Sequence, residues 1–142
     1  MKKAVLLFSA FILSLSLFAQ EKSAADVIRF NEMVYDFGKI KQNVPVNHDF
    51  AFTNVSGTPI VIESAIASCG CTTPVKPEGA VPKGKTDKIN AGFNAAVPGP
   101  FNKTITVKVV GQELPVQLRI TGEVLTADAY AKYEADKGKA KS

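Results

Sequence analysis

Between Val27 and Val124 the apolar residues recur at every second position in short runs, and Gly, Pro or Asn cuts each run after a few residues. A period of two is that of a pleated strand with one buried face, and no stretch holds a helical period long enough to compete. The clearest run lies near the end: Leu114, Val116, Leu118, Ile120 and Val124 face one way, and Gln117, Arg119, Thr121 and Glu123 the other. Val46, His48, Phe50 and Phe52 alternate in the same manner with Asn47, Asp49, Ala51 and Thr53, and Ser56-Gly57-Thr58-Pro59 supplies the turn that follows. Ile60, Ile62, Ser64 and Ile66 continue as an inward set, Ile89, Ala91 and Phe93 mark a further strand, and Ile105, Val107 and Val109 lie in phase within Phe101 to Val110.

The first strand is expected over Val27 to Phe37, broken at Asp36-Phe37-Gly38 and resumed over Ile40 to Val44. Three prolines and two glycines between Thr72 and Lys85 read as a long connection. The pattern predicts an all-β fold: an immunoglobulin-like antiparallel β-sandwich of about seven strands, made of two packed sheets.

The two ends of the chain differ from this body. Lys2 and Lys3, an apolar run of fifteen residues from Ala4 to Phe18 and the small Ala19 form the pattern of an export signal over residues 1–19, too short to span a bilayer. After cleavage no stable membrane span is expected, and the protein is placed in the periplasm or outside the cell. The sandwich is assigned to residues 20–125. Residues 126–142, rich in Ala, Lys, Asp and Glu, read as a charged tail, either a short helix or disordered, with Tyr130 and Tyr133 able to dock on the body. The formal charge of +4 then loses its meaning as a lead to nucleic acid. Two units belong to Lys2 and Lys3 and one to the tail, so residues 20–125 carry 11 basic and 10 acidic side chains, too balanced for DNA or lipid.

Several pieces in this order resemble a known family. They are Tyr35-Asp36-Phe37-Gly38-x-Ile40, His48-x-Phe50-x-Phe52-x-Asn54, Pro59-Ile60-x-Ile62, Ala67-Ser68-Cys69-Gly70-Cys71-Thr72-x-Pro74, Pro82-x-Gly84, Gly99-x-Phe101-x-Lys103-x-Ile105-x-Val107 and Ile120-x-Gly122-Glu123-Val124. The body is similar to the secreted bacterial Ig-like domains known as domain of unknown function 1573, common in Bacteroidetes. The resemblance implies a fold related to Hydin-type and major-sperm-protein-like Ig domains, an envelope address and a role in interaction. It implies no enzymatic activity. The segment Val109-Val110-Gly111 departs from the Ser-Asn turn usual in the family.

One constellation carries chemistry, Cys69-Gly70-Cys71, and it holds both cysteines of the chain. In an exported protein they are expected to be oxidised, together or with a partner. A disulfide wants Cα atoms about 4.4 to 6.8 Å apart, and residues i and i+2 of a straight strand do not meet that requirement, so the bond needs the bend that Gly70 permits. Three readings compete: a local structural disulfide, redox-active or partner-linking thiols, and a soft-metal site for Cu(I) or Zn(II). A metal needs more than two ligands, and His48, the single histidine, is the candidate third. His48 also lies in phase with Val46 and Phe50, where a half-buried ring bonded to a backbone carbonyl is the simpler expectation. Met33, a soft donor in principle, reads as core filler beside Phe30 and Val34.

No catalytic site stands out. His48 has no nucleophile elbow to serve, and the carboxylates do not cluster. Asn54-Val55-Ser56 and Asn102-Lys103-Thr104 match a eukaryotic glycosylation pattern without a eukaryotic context. Lys103, Lys108 and Arg119 read as ordinary solvated strand positions, and with no Trp there is no platform for a carbohydrate-binding sandwich. The expected function is that of an exported, non-enzymatic interaction or envelope structural module, without cofactor, binding a protein partner by an edge strand or its end loops. The alternative is a thiol-disulfide or copper- or zinc-handling protein centred on Cys69 and Cys71.

Overall fold

The computed structural model describes residues 20–140. The export signal expected over residues 1–19 lies outside the described residues. Eight strands follow a single 3-10 turn at Ala24–Asp26: β1 Ile28–Phe30, β2 Val34–Lys41, β3 Val46–Asn54, β4 Ile62–Ala67, β5 Thr72–Val75, β6 Thr86–Phe93, β7 Gly99–Val109 and β8 Val116–Leu125. A helix, α1, spans Ala127–Lys139. The strands form two four-stranded sheets with the orders β1-β3-β6-β5 and β2-β8-β7-β4. Their inner faces supply one core, in which Phe50, Phe52, Ile89 and Ala91 of the first sheet are buried with Ile62, Ile105, Val107, Leu118 and Ile120 of the second. This is the all-β sandwich that the period of two predicts, with eight strands in place of about seven.

Three departures from the expected pattern have local causes. The run Val27 to Phe37 is two strands, because the chain leaves the first sheet after Phe30 and enters the second at Val34. There β2 runs parallel to β8, so the second sheet is mixed and not wholly antiparallel. The expected break at Asp36-Phe37-Gly38 is a bulge within β2: Gly38 takes a φ of 66° and its N–H donates to the Asp36 carboxylate at 2.9 Å.

In β4 the expected inward set fails at its end. The register shifts between Ile62 and Ser64, the phase moves to Ala65 and Ala67, and Ile66 is left 63% exposed. The connection from Thr72 to Lys85 contains β5, which places Pro74 on a sheet edge where its missing N–H costs no ladder bond, and buries Val81 opposite Ile60. Leu114 and Met33 are exposed, so neither fills the core.

The tail takes the helical alternative. Thr126 caps α1 by accepting from the Ala129 N–H, and Lys137 and Lys139 sit in the last turn, where the helix dipole favours positive charge. α1 buries no residue completely. Tyr130 and Tyr133 are half-buried, and the Lys39 ammonium lies 5.0 Å from the centre of the Tyr133 ring.

Candidate functional site

Cys69, Gly70 and Cys71 form the turn that carries the chain from β4 in the second sheet to β5 in the first. Backbone bonds fix both ends of this turn. The Ser68 N–H donates to the Thr104 carbonyl at 2.8 Å, the Asn94 N–H donates to the Cys71 carbonyl at 3.0 Å, and the Thr72 N–H closes the turn on the Cys69 carbonyl at 3.3 Å. Strands of both sheets thus anchor a segment of three residues. The bend brings the Cα atoms of Cys69 and Cys71 to 5.3 Å, inside the disulfide range, with the two sulfurs facing at bonding distance.

Thr72 becomes part of the site only in the fold. It is 4% exposed, and its hydroxyl lies 3.8 Å from Cys69 Sγ and 4.0 Å from Cys71 Sγ. Among the described residues these sulfurs are the hydrogen-bond partners of that hydroxyl. A buried hydroxyl needs a partner, and here the partner is the sulfur pair. The signal available in the sequence was a polar, β-branched residue in the first inward position after the cysteines.

Cys71 also lines a groove of about 240 Å³. Phe93 of β6 and Phe101 of β7 stack across the two sheets with centroids 4.1 Å apart, and both line this groove. Val97, Pro98 and Pro100 form its apolar wall, and Lys103 brings the one positive charge. Val97, at 77%, is the most exposed large hydrophobic side chain among the described residues. The Phe101 ring takes its place because its register partner is Gly122: a Cβ there would meet the ring at 2.7 Å and the Gly38 carbonyl at 2.8 Å.

His48 is elsewhere. It stands on β3 opposite Ala91 of β6, with its side chain 17% exposed, stacked on Tyr35 at 3.6 Å and edge-on to Phe50. Its Nε2 is 2.8 Å from a carboxylate oxygen of Glu32, so the expected backbone carbonyl is replaced by a side-chain partner. Among the described residues no group of three His, Cys, Asp or Glu side chains could hold a metal ion. The set Cys69, Cys71 and His48 is therefore not brought together as a ligand group, and His48 Nε2 is engaged by Glu32.

The family model described as "Protein of unknown function (DUF1573)" matches residues 28–124. The chain belongs to the DUF1573 family. The matched region runs from β1 to the end of β8, so it includes the Cys69 turn, Thr72 and the groove of this DUF1573 domain. Among curated proteins no sequence matches the chain. Solved structures share its fold at low identity. A protein of unknown function from Porphyromonas gingivalis is 12% identical with a TM-score of 0.59, over 68% of this chain and 46% of that one. The PapD-like domain 7 of human CEP192 is 7% identical with a TM-score of 0.55, over 71% of this chain and 87% of that one. The VesB protease of Vibrio cholerae is 11% identical with a TM-score of 0.54, over 70% of this chain and 32% of that one. The DUF1573 chain thus spans less than half of these bacterial proteins, and the likenesses show an Ig-like β-sandwich fold.

Proposed function

We propose that this DUF1573 domain is an exported, non-enzymatic interaction module of the cell envelope, which holds an extended apolar segment of another protein at the end of the sandwich built by the Cys69 turn and the Val97–Pro100 loop. The observation that carries this reading is the groove itself. Val97 stands 77% exposed above a stacked Phe93–Phe101 pair, at a corner fixed by backbone bonds to both sheets. An exposed aliphatic side chain beside buried aromatic rings on a rigid frame offers an apolar anchor of a partner its contact.

Strand addition at the neighbouring edge is a weaker route, because β5 has four residues and carries Pro74. The export pattern of Lys2 to Ala19 supports a periplasmic or secreted address, and that address favours a bond between Cys69 and Cys71, which would stiffen the corner.

A photo-crosslinking residue at position 97, expressed in the native host, tests the reading against the same residue at position 119, an exposed position of β8 that does not line the groove. The expected result is a discrete protein adduct at 97 that is absent at 119. Equal labelling at the two positions, or none at 97, overturns it.

A further inference from the structure

We propose that the Cys69–Cys71 pair is an exchange site, which oxidises a pair of thiols in a protein segment bound in the adjacent groove. The inference rests on the reading of that groove as a contact surface for the choice of partner, and on the turn alone for the chemistry. Three observations meet at this corner. The ring closed by a bond between residues i and i+2 is the smallest that one intervening glycine allows, and it belongs to the class of small-ring disulfides that are more readily reduced than bridges between distant strands. Cys71, and not Cys69, lines the groove, so an incoming sulfur meets Cys71 first. The Thr72 hydroxyl, buried and directed at both sulfurs, can donate to a thiolate released there.

The occupant is an extended apolar segment that carries cysteine. Val97, Pro98 and Pro100, exposed around the buried Phe93 and Phe101 rings, fit apolar side chains beside that cysteine, and Lys103 lines the same groove with no carboxylate within ion-pair distance among the described residues. An attacking thiolate is an anion, and this unpaired cation complements it.

The steps balance without a further reagent. A partner thiolate attacks Cys71 Sγ, a sulfur–sulfur bond forms between partner and Cys71, and the bond to Cys69 breaks, its electron pair leaving on Cys69 Sγ as a thiolate that accepts from Thr72. A second partner thiolate attacks the partner's own sulfur in this mixed disulfide and releases Cys71. The two protons lost by the partner thiols match the two that Cys69 and Cys71 gain through water. One partner disulfide is formed and one pair on this chain is reduced by two electrons, once per molecule.

The test uses the oxidised protein, residues 20–142, with reduced glutathione, followed by acid quench, alkylation and peptide mapping. The mixed disulfide is expected on Cys71. Thr72→Val, which keeps the volume and removes the hydroxyl, should slow its formation about tenfold, the scale of one hydrogen bond to a charged group, while Thr72→Ser should stay within about twofold of the parent protein. An adduct mainly on Cys69, or a folded Thr72→Val protein reacting as fast as the parent, overturns the proposal. A second arm compares two synthetic peptides, one with Cys between leucines and one with Cys between aspartates. Faster reaction of the leucine peptide supports the groove as the docking site. Reaction with glutathione but equal rates for the two peptides overturns the docking reading and leaves the exchange chemistry standing, so the two failures are distinguishable.

Discussion

Asn54 is 1% exposed at the end of β3, and its side chain makes four hydrogen bonds: Nδ2 donates to the Thr58 and Val81 carbonyls at 2.8 and 2.9 Å, and Oδ1 accepts from the Ser56 N–H and hydroxyl at 2.9 and 2.7 Å. One amide therefore shapes the turn after β3 and ties it to the segment that brings Val81 into the core. Replacing it with Ala deletes all four of these hydrogen bonds at a buried position, and Asn54→Ala should lower unfolding stability by about 3 kcal/mol in a urea titration. Asp49 acts at the surface and differently. The Asn90 side-chain amide and then the Lys88 ammonium, at 2.6 Å each, hold its carboxyl below the ordinary 3.8, and Asp49 in turn holds Lys88 above 10.5. A depressed carboxylate adds stability that is present above 3.8 and lost as pH falls through the folded value, while the raised Lys88 adds stability present below 10.5 and lost as pH rises through its own. Asp49→Asn should thus lower the Tm at pH 7, and the gap between variant and parent should close as the scan moves below pH 3.8.

At the scale of elements, the pairing of β7 with β8 sets the floor of the groove. Gly122 lies in phase with Val116, Leu118, Ile120 and Val124 yet brings no side chain, and the Phe101 ring fills the space over it. Gly122→Ala must move the ring or the Gly38 carbonyl, and a loss of about 2 kcal/mol in thermal unfolding is expected, with a changed near-ultraviolet signal from the displaced aromatic pair. The strands themselves were legible because alternation is a direct projection of the pleat, and Val116, Leu118, Ile120 and Val124 lie inward as the pattern requires. What alternation does not encode is where a strand changes sheet or register. Asn31 to Met33 carries no Gly or Pro to mark the crossing, and the shift after Ile62 that exposes Ile66 depends on β7, which lies forty residues further on. The candidate site was half legible for the same reason. The cysteine pair, its bend and Thr72 follow one another along the chain, whereas Phe93, Val97 and Phe101 come from β6, the loop after it and β7, which only the tertiary fold places around Cys71. His48 stands on the inward face as expected, but its partners Glu32 and Tyr35 are set by the crossing of the first strand.

At the scale of the whole molecule, two sheets bury one core and leave the Cys69 corner as a stiff end with an apolar groove beside a pair of sulfurs. α1 lies outside that unit, packing Tyr133 under Lys39 without burying any residue completely. A function at the corner requires a chain that leaves the reducing cytoplasm and arrives with Cys69 and Cys71 joined. The most direct measurement is the intact mass of the native protein taken from the envelope fraction, alkylated before and after reduction. The account predicts a chain that begins at Gln20, takes up no alkyl group until it is reduced and then takes up two. A chain that retains residues 1–19 in the cytoplasm, with both thiols alkylated at once, would contradict it.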